Sequence, residues 1–239
     1  MAIHTIDKRR LILDVLLPAL NEEESVAEVV SAIKSIGHPV RHVVVIDNDS
    51  TDRTAKRAEQ MGAIVVKKAQ RGYGAACLRG MEFVAKQETR PDAVAFLDAD
   101  GSDDPQDLPR LVDAVANGAD LAVGSRTIGI LSPGALSKAQ RVGNAVATTL
   151  IRAVYGQTYT DVGPFRVVRY PALLALGMAD EDHGFMIEMQ VKAVQRGLRI
   201  VEVPVHYRPR TAGESKNVKG SLKAGGKMLF TILRHATQR

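Results

Sequence analysis

Two aspartates, Asp98 and Asp100, directly follow the apolar run Ala93–Leu97. Residues two apart at the end of a β-strand project to the same side, so both carboxylates can face one cation. Hard oxygen ligands of this kind suit Mg²⁺ or Mn²⁺. An acidic edge repels phosphates unless a cation intervenes. The spacing therefore predicts a Mg²⁺ or Mn²⁺ site beneath a bound diphosphate.

Two other interpretations of this acidic cluster were weighed. A calcium-binding loop that begins at Asp98 needs an acidic twelfth residue, and that residue is Pro109. The run Asp98–Ser102 also resembles the aspartyl-nucleophile motif of haloacid-dehalogenase-type phosphatases. That motif usually lies on the first strand, whereas three predicted βα steps precede it here, so the phosphatase remains an alternative.

A glycine-containing turn, Arg71–Ala76, follows a short apolar run and opens a predicted helix. Glycines allow close backbone approach, and a helix N-terminus favours negative charge. The third glycine of the dinucleotide-binding fingerprint is absent. The turn is therefore either a phosphate-binding element or an ordinary tight turn.

Alternating strands and helices must position these residues. Four apolar runs predict strands and three amphipathic stretches between them predict helices: Leu11–Leu17, Val43–Ile46, Ile64–Val66 and Ala93–Leu97, with Ser25–Ile36, Thr54–Met61 and Ala75–Lys86. Uninterrupted apolar runs indicate strands that are covered on both faces. The expected fold is an α/β domain with a mostly parallel central sheet flanked by helices.

Polar clusters follow the predicted strand ends. They occupy Pro18–Glu24, Asp47–Asp52 and Asp98–Asp104, and ligands of such sheets bind beyond the carboxyl ends of the strands. The three clusters are therefore expected to converge on one edge. Asn21 and Glu24 are expected to cap the first helix.

Composition limits the number of domains and the cellular location that can be expected. The chain has 239 residues, 45% of them apolar and 25% charged, without a repeat or a linker, which favours a single domain. No apolar run approaches the roughly 20 residues that cross a bilayer. Asp14 interrupts the signal-like start at Lys8–Leu13, so a core strand is expected there. Lone Cys77 excludes an internal disulfide and favours a reducing, cytoplasmic setting.

The motifs together resemble family 2 glycosyltransferases of the GT-A fold, and most closely the polyprenyl-phosphate (dolichyl-phosphate type) mannosyl- and glucosyltransferases. The resemblance extends from about Leu13 to Lys216 and is carried by Pro18–Glu22, Ile46–Asp52, Arg71–Ala76, Asp98–Asp100 and Gly124–Arg126. It implies a Rossmann-like single domain, 1–239, with a nucleotide-sugar half at 1–125 and an acceptor half at 126–239.

The resemblance also implies roles for individual residues. Asp98 and Asp100 would bind the metal. The donor would be bound by Pro18, Leu20, Asn21, Glu22, Asp47, Asp52, Arg71, Gly74, Asp98, Ala99, Asp100, Arg208 and Lys216, with Ser215 beside Lys216 in a closing loop. Catalysis would depend on Asp100, Arg126, Arg141 and Asp161, with Asn144 and the stretch to Arg166 near the sugar and acceptor.

Three departures from the family pattern affect the expected acceptor. Asn48 replaces the second acid of the usual Asp-Asp pair, and Pro164 interrupts a Gly-Phe-Arg element. The Glu-Asp motif that supplies a catalytic base in many relatives is absent. A phosphate acceptor needs no base because its oxygen is already anionic. A hydroxyl acceptor would need another acid, for which Asp161 and Glu188 are the candidates.

The expected reaction is inverting transfer of a hexose from a GDP-mannose or UDP-glucose type donor to a polyprenyl phosphate. Arg126 and Arg141 would position the acceptor phosphate, and Arg208 or Lys216 would stabilise the leaving diphosphate. Other classes considered were a non-catalytic nucleotide-sugar binding protein and a sugar-1-phosphate nucleotidyltransferase. The latter needs a glycine-rich first loop, and Pro18–Glu24 contains no glycine.

The C-terminal region suggests a place for a lipid acceptor. Residues 200–239 carry eight Lys or Arg against Glu202 and Glu214, and Ser221–Arg234 has apolar and basic faces. This helix is expected to lie on an anionic membrane, pack on the core or form a homodimer contact. The expected location is cytoplasmic, with peripheral attachment to the inner membrane face; nucleic acid is not an expected partner.

Overall fold

Seven strands form one sheet within residues 5–211 and 230–235, the part of the chain that this computed structural model describes. The strands are β1 Leu13–Ala19, β2 Val40–Asp47, β3 Ile64–Lys67, β4 Ala93–Phe96, β5 Leu121–Leu131, β6 Arg166–Arg169 and β7 Ile200–Tyr207. Their order across the sheet is β3-β2-β1-β4-β6-β5-β7. Only β6 runs antiparallel to its neighbours, β4 and β5.

Helices lie on both faces of the sheet. They are α1 Val26–Ser35, α2 Thr54–Gln60, α3 Tyr73–Ala85, α4 Leu108–Ala116, α5 Lys138–Tyr155, α6 Tyr170–Leu176 and α7 Phe185–Gln195. This arrangement confirms the predicted α/β domain with a mostly parallel sheet. The predicted boundary at residue 125 falls inside β5, so one strand belongs to both proposed halves.

Strand β1 explains how the sheet is stabilised, because all seven of its residues are buried. Val15 packs in the layer that contains α1 and α4, whereas Leu16 packs in the layer that contains α3 and α7. Burial of each such side chain contributes about 1.5–3 kcal/mol. Asp14 lies within this strand and is neutralised by Arg41 through hydrogen bonds of 2.9 and 2.7 Å. The predicted first core strand is therefore confirmed, although it begins at Leu13 and not at Leu11.

The predicted capping of α1 by Asn21 and Glu24 is wrong. The helix begins after Ser25, whose hydroxyl donates to the Ala99 carbonyl at 2.8 Å. Asn21 has a left-handed backbone (φ 51°) and accepts a hydrogen bond from the Thr51 backbone at 2.7 Å. Its side chain thus joins the loop after β1 to the loop after β2.

The C-terminal predictions fall largely outside the described residues. These include Ser215, Lys216 and all of the Ser221–Arg234 helix before Phe230. The helical residues 230–235 pack beside α5, where the Tyr155 hydroxyl donates to the Ile232 carbonyl at 2.6 Å. None of the described helices is long and apolar enough to cross a membrane.

Candidate active site

A cleft of about 1040 Å³, including its open mouth, lies beyond the carboxyl ends of β1 and β4. Seven of the predicted donor-binding residues line it: Pro18, Leu20, Glu22, Arg71, Asp98, Ala99 and Asp100. Strand ends bring these residues together because β1 lies between β2 and β4. The cleft is therefore the candidate site.

Asp98 and Asp100 form its acidic floor. Asp100 is 6% exposed, and its Oδ1 accepts hydrogen bonds from the Ser102 backbone at 2.9 Å and hydroxyl at 2.6 Å. Asp98 Oδ1 is buried without a hydrogen-bond partner among the described residues. Burial, and then the charge of Asp100, raises the pKa of Asp98 to about 7.

Asp103 adds a third buried carboxyl group beneath this pair. Its Oδ2 accepts a hydrogen bond from the Asp98 backbone at 3.3 Å, and Oδ1 has no partner among the described residues. Burial, followed by the charges of Asp98 and Asp100, raises the pKa of Asp103 well above its ordinary value. Burial and mutual repulsion therefore disfavour the ionised forms of these neighbouring carboxyl groups in the absence of a cation.

A divalent cation fits this electrostatic imbalance. Carboxylate oxygens are suitable donors for Mg²⁺ or Mn²⁺, and the unpartnered Oδ1 of Asp98 supplies one. Within residues 5–211 and 230–235, no three His, Cys, Asp or Glu side chains are arranged to hold a metal. The pair Asp98 and Asp100 would thus leave positions for phosphate oxygens and water.

Arg210 spans the cleft, although the sequence analysis did not select it. It forms an ion pair with Glu22, and its Nη1 lies 3.1 Å from Asp100 Oδ2. Arg208, which was selected, instead pairs with Asp104 at 2.6 Å and does not line the cleft. The two arginines lie two residues apart after β7. The sequence shows that both follow this strand, but it does not show which of them reaches the cleft.

Arg126, midway along β5, forms an ion pair with Asp161 in the loop before β6. Asp161 is fully buried and accepts from Arg126 Nε at 2.7 Å, Nη2 at 2.6 Å and the backbone N–H at 2.8 Å. Arg126 Cζ also lies 4.9 Å from the centre of the Tyr207 ring. Burial lowers the pKa of Arg126, but Asp161 outweighs that effect and the pKa rises above its ordinary value. The guanidinium is therefore permanently charged and fixed in orientation.

The loop that carries Asp161 is braced from two directions. Asn144 on α5 accepts a hydrogen bond from the Val162 backbone at 2.9 Å, and Glu202 on β7 accepts from the Thr160 backbone. Arg141 lies on α5 just before Asn144, but its side chain is exposed and has no partner among the described residues. The structure thus joins Arg126, Asp161 and Asn144, and leaves Arg141 outside that network.

Arg166, predicted to lie near the sugar, is fully buried and donates to backbone carbonyls such as that of Met186.

Neither predicted alternative base is available. Asp161 is fully engaged by Arg126. Glu188 is 2% exposed, accepts from the Asp180 backbone at 2.8 Å and pairs with Lys192 at 2.7 Å. Both acids therefore support structure.

Four predicted donor-binding residues also have structural contacts and do not line the cleft. Asp47 accepts from the Ser50 backbone, Asp52 accepts from the Thr54 backbone, and Asn21 joins two loops. Gly74 is needed for packing, because a Cβ there would lie 2.0 Å from the Asp180 carbonyl. Its N–H donates to the Asp182 carbonyl at 3.2 Å, so the start of α3 is not a free phosphate-binding turn.

Asn48 explains one departure from the family pattern. Its amide nitrogen donates to the Gln70 carbonyl at 2.7 Å, and its oxygen accepts from the Gly72 backbone at 2.9 Å. An ionised aspartate has no donor for the first bond. The amide therefore fixes the loop that carries Arg71 over the cleft.

Asp182 and His183 are further cleft residues that the sequence analysis missed. His183 Nε2 lies 3.7 Å from Asp182 Oδ1, and both side chains are about one-third exposed. They precede α7 and reach the cleft through the contact between residues 180–182 and the start of α3. That contact joins segments more than a hundred residues apart, so no local sequence pattern predicts it.

The fold is an α/β domain with a mostly parallel sheet, and its cleft lies beyond the carboxyl ends of two parallel strands. Residues 14–177 match the model of the family described as "Glycosyl transferase family 2". The protein belongs to this family and is a glycosyltransferase. This decides against the phosphatase and nucleotidyltransferase alternatives, and it confirms the resemblance seen in the motifs.

Individual relatives narrow the comparison. An uncharacterized glycosyltransferase of Mycobacterium tuberculosis (strain ATCC 25618 / H37Rv) is 43% identical over 87% of this chain and 90% of its own length. The polyprenol monophosphomannose synthase of Mycolicibacterium smegmatis is 30% identical over 84% of this chain and 79% of its own length.

A solved structure shares the fold at lower identity. Glucosyl-3-phosphoglycerate synthase from Mycobacterium tuberculosis, in complex with Mn²⁺, UDP and glucosyl-3-phosphoglycerate, is 23% identical. The similarity has a TM-score of 0.78 and covers 96% of this chain and 81% of that one. At this identity the similarity establishes the fold alone.

Proposed function

We propose that this glycosyltransferase moves a hexose from a nucleotide sugar to a polyprenyl phosphate, with a divalent cation bound by Asp98 and Asp100. One observation carries the choice of acceptor: the Arg126 side chain is 10% exposed and held in one orientation, and both carboxylate oxygens of the nearby Asp161 are engaged in holding it. A rigid guanidinium without a free base suits an acceptor that is already anionic. The name of the mycolicibacterial relative supports the same acceptor class.

The donor is proposed to occupy the cleft between Pro18 and Arg210. Leu20 and Arg71 would contact the nucleoside, and Asp98 and Asp100 would hold the cation. When bound, Mg²⁺ or Mn²⁺ would act as a Lewis acid and neutralise negative charge on the diphosphate. Arg210, rather than Arg208, would meet the leaving diphosphate because it lines the cleft and already contacts Asp100. Mn²⁺ and UDP in the solved glucosyl-3-phosphoglycerate synthase support a divalent cation and a nucleoside diphosphate as ligands of the cleft.

The chemical step is proposed to be direct displacement with inversion. An acceptor phosphate oxygen forms the new bond to the anomeric carbon while the bond to the diphosphate oxygen breaks. No proton need be removed from the acceptor. Arg126 orients the incoming phosphate, and Arg210 stabilises charge on the outgoing diphosphate.

A hydroxyl acceptor is the second candidate, supported by one specific observation. His183 lines the cleft beside Asp182, and a neutral imidazole with a carboxylate neighbour is a suitable general base. The solved relative is named as a synthase of glucosyl-3-phosphoglycerate, which fits such an acceptor. In this case His183 replaces Asp161 and Glu188 as the candidate base.

The test is release of nucleoside diphosphate from UDP- and GDP-sugars with Mn²⁺ or Mg²⁺. Each donor is assayed alone, with a short polyprenyl phosphate, and with phosphoglyceric acid. We expect one donor to be turned over only when polyprenyl phosphate is present. Stimulation by phosphoglyceric acid alone would replace the lipid-phosphate acceptor with the second candidate. No transfer to either would contradict both proposed acceptors.

A further inference from the structure

Residues 121–160, here called the acid-free segment, contain no Asp or Glu. The whole chain has 27 such residues in 239, so a stretch of this length is unusual in its own context. The segment carries four cations, Arg126, Lys138, Arg141 and Arg152. It comprises β5, the following loop and α5. One continuous piece of the fold is therefore purely cationic.

The acid-free segment also exposes aliphatic side chains. Ile128 and Ile130 on β5 are 48% and 61% exposed, and Val142 and Val146 on α5 are 64% and 44% exposed. Ile128 and Ile130 are two residues apart on a strand, and Val142 and Val146 are four apart on a helix, so each pair shares a face. Half of the eight large exposed hydrophobic residues in the described part of the chain belong to this segment.

Within residues 5–211 and 230–235, the cations of α5 have no counter-ion. Lys138, Arg141 and Arg152 are all exposed, and none forms an ion pair with a described residue. The opposite side of α5 is buried through Ala147 and Ile151, which pack with Ile232. The helix is thus fixed on its inner side and presents free positive charge and aliphatic surface on its outer side.

We propose that the acid-free segment docks this enzyme on an anionic membrane surface. The inference builds on the proposed polyprenyl-phosphate acceptor and names the surface from which that acceptor would enter. Aliphatic side chains suit the acyl boundary, and unpaired cations suit anionic headgroups. Ile128 follows Arg126 by two residues on β5, in the stretch where the register with β7 shifts. A lipid phosphate at Arg126 could therefore keep its chain beside Ile128 and Ile130.

Charge argues for a bilayer over a second copy of the chain. A two-fold contact through this face would bring two sets of the same cations together without an acid from either segment. A nucleic acid would match the cations but would leave Ile130 and Val142 without apolar partners. An anionic bilayer satisfies both kinds of side chain.

The test is flotation of the full chain with unilamellar vesicles of phosphatidylcholine alone or with equal parts of phosphatidylglycerol. The aliphatic variant combines Ile128→Ser, Ile130→Ser, Val142→Ser and Val146→Ser, and its control combines Met61→Ser with Leu174→Ser, two exposed positions elsewhere. We expect the aliphatic variant to bind mixed vesicles about tenfold more weakly, and the control to bind normally. Circular dichroism melting establishes that both variants are folded.

A charge variant tests the electrostatic half. Lys138→Glu with Arg152→Glu is compared with Lys86→Glu with Arg90→Glu, which changes the net charge equally on another exposed surface. The first pair is expected to weaken binding to mixed vesicles by about tenfold or more, and the second to have a much smaller effect. If the two pairs weaken binding equally, only overall charge matters and the docking face is refuted.

Other outcomes separate docking from the proposed function. Transfer to a short, soluble polyprenyl phosphate should be unchanged when only Val142→Ser and Val146→Ser are combined, whereas transfer to vesicle-embedded acceptor should fall. Vesicle binding through this face without any lipid-phosphate transfer supports docking and refutes the acceptor. Failure of the wild type to float, or normal flotation of the aliphatic variant, refutes docking even if transfer succeeds. A variant that changes only from dimer to monomer identifies the face as a contact between copies.

Discussion

Asp98 lies just after β4 and Asp161 lies in the loop between α5 and β6, and the surroundings of these two carboxylates differ. In the part of the chain that the structure describes, one oxygen of Asp98 has no hydrogen-bond partner, and Asp100 and Asp103 lie close to it. Asp161 has both oxygens occupied by one guanidinium. The proposed donor side, around Asp98, therefore has a carboxylate oxygen that a cation can complete, whereas Asp161, on the proposed acceptor side, is already neutralised by Arg126. The same residue type is open to a ligand in one place and engaged in a structural ion pair in the other.

The largest expected effect is on the donor side. Asp98→Asn removes a proposed metal ligand, so kcat should fall by about 10²–10³-fold. It also removes one charge from a crowded acidic cluster, so the free energy of unfolding should not decrease. Steady-state turnover and chemical denaturation without metal measure the two effects. A variant that retains normal turnover would contradict the metal role, and Asp104→Asn, outside the cleft, is the control.

The same substitution on the acceptor side should have the opposite effect on stability. Asp161→Asn leaves the buried Arg126 without its counter-charge, which should destabilise the fold by about 3 kcal/mol. Loss of the fixed guanidinium should also reduce kcat/KM for the acceptor by about tenfold to a hundredfold. Denaturation curves of Asp98→Asn and Asp161→Asn under one condition compare the two sites directly. Equal destabilisation by the two substitutions would show that Asp98 and Asp161 contribute alike to stability.

The two arginines after β7 give a smaller and more selective effect. Arg210→Met should lower kcat by about tenfold because it removes a charge that lines the cleft beside Asp100. Arg208→Met is its matched control, since a half-exposed ion pair with Asp104 contributes about 0–1 kcal/mol. Turnover at saturating donor distinguishes them. A greater loss from Arg208→Met would restore the assignment made from sequence.

Local patterns were enough to predict part of this site. The strand followed by Asp98-Ala99-Asp100 placed two carboxylates at one edge, because strand geometry alone determines which side they face. The mostly parallel sheet was likewise predictable from uninterrupted apolar runs such as Val43–Ile46. Both inferences depend on neighbours in the sequence.

Roles that depend on distant partners were not predictable. Asp161 was a candidate base until its partner Arg126, 35 residues earlier, was seen to occupy it. Gly74 was assigned to the donor, but its lack of a side chain admits the distant Asp180 carbonyl. Arg210 and Arg208 have similar sequence surroundings, and only the path of the chain after β7 distinguishes them.

The smallest effect is expected at His183, and its size decides between the two proposed acceptors. His183→Gln keeps a polar side chain beside Asp182 but removes the imidazole that could accept a proton. With polyprenyl phosphate, turnover should change by no more than about twofold, because an anionic oxygen needs no base. With a hydroxyl acceptor, the loss should reach about 10²-fold or more, because the group that accepts the proton is removed. Measuring His183→Gln against Asp161→Asn with the same acceptor shows whether the fixed arginine or the histidine controls the acceptor side. A large loss of turnover in His183→Gln with polyprenyl phosphate would mean that the reaction needs a base. The ion pair between Arg126 and Asp161 would then have only a structural role.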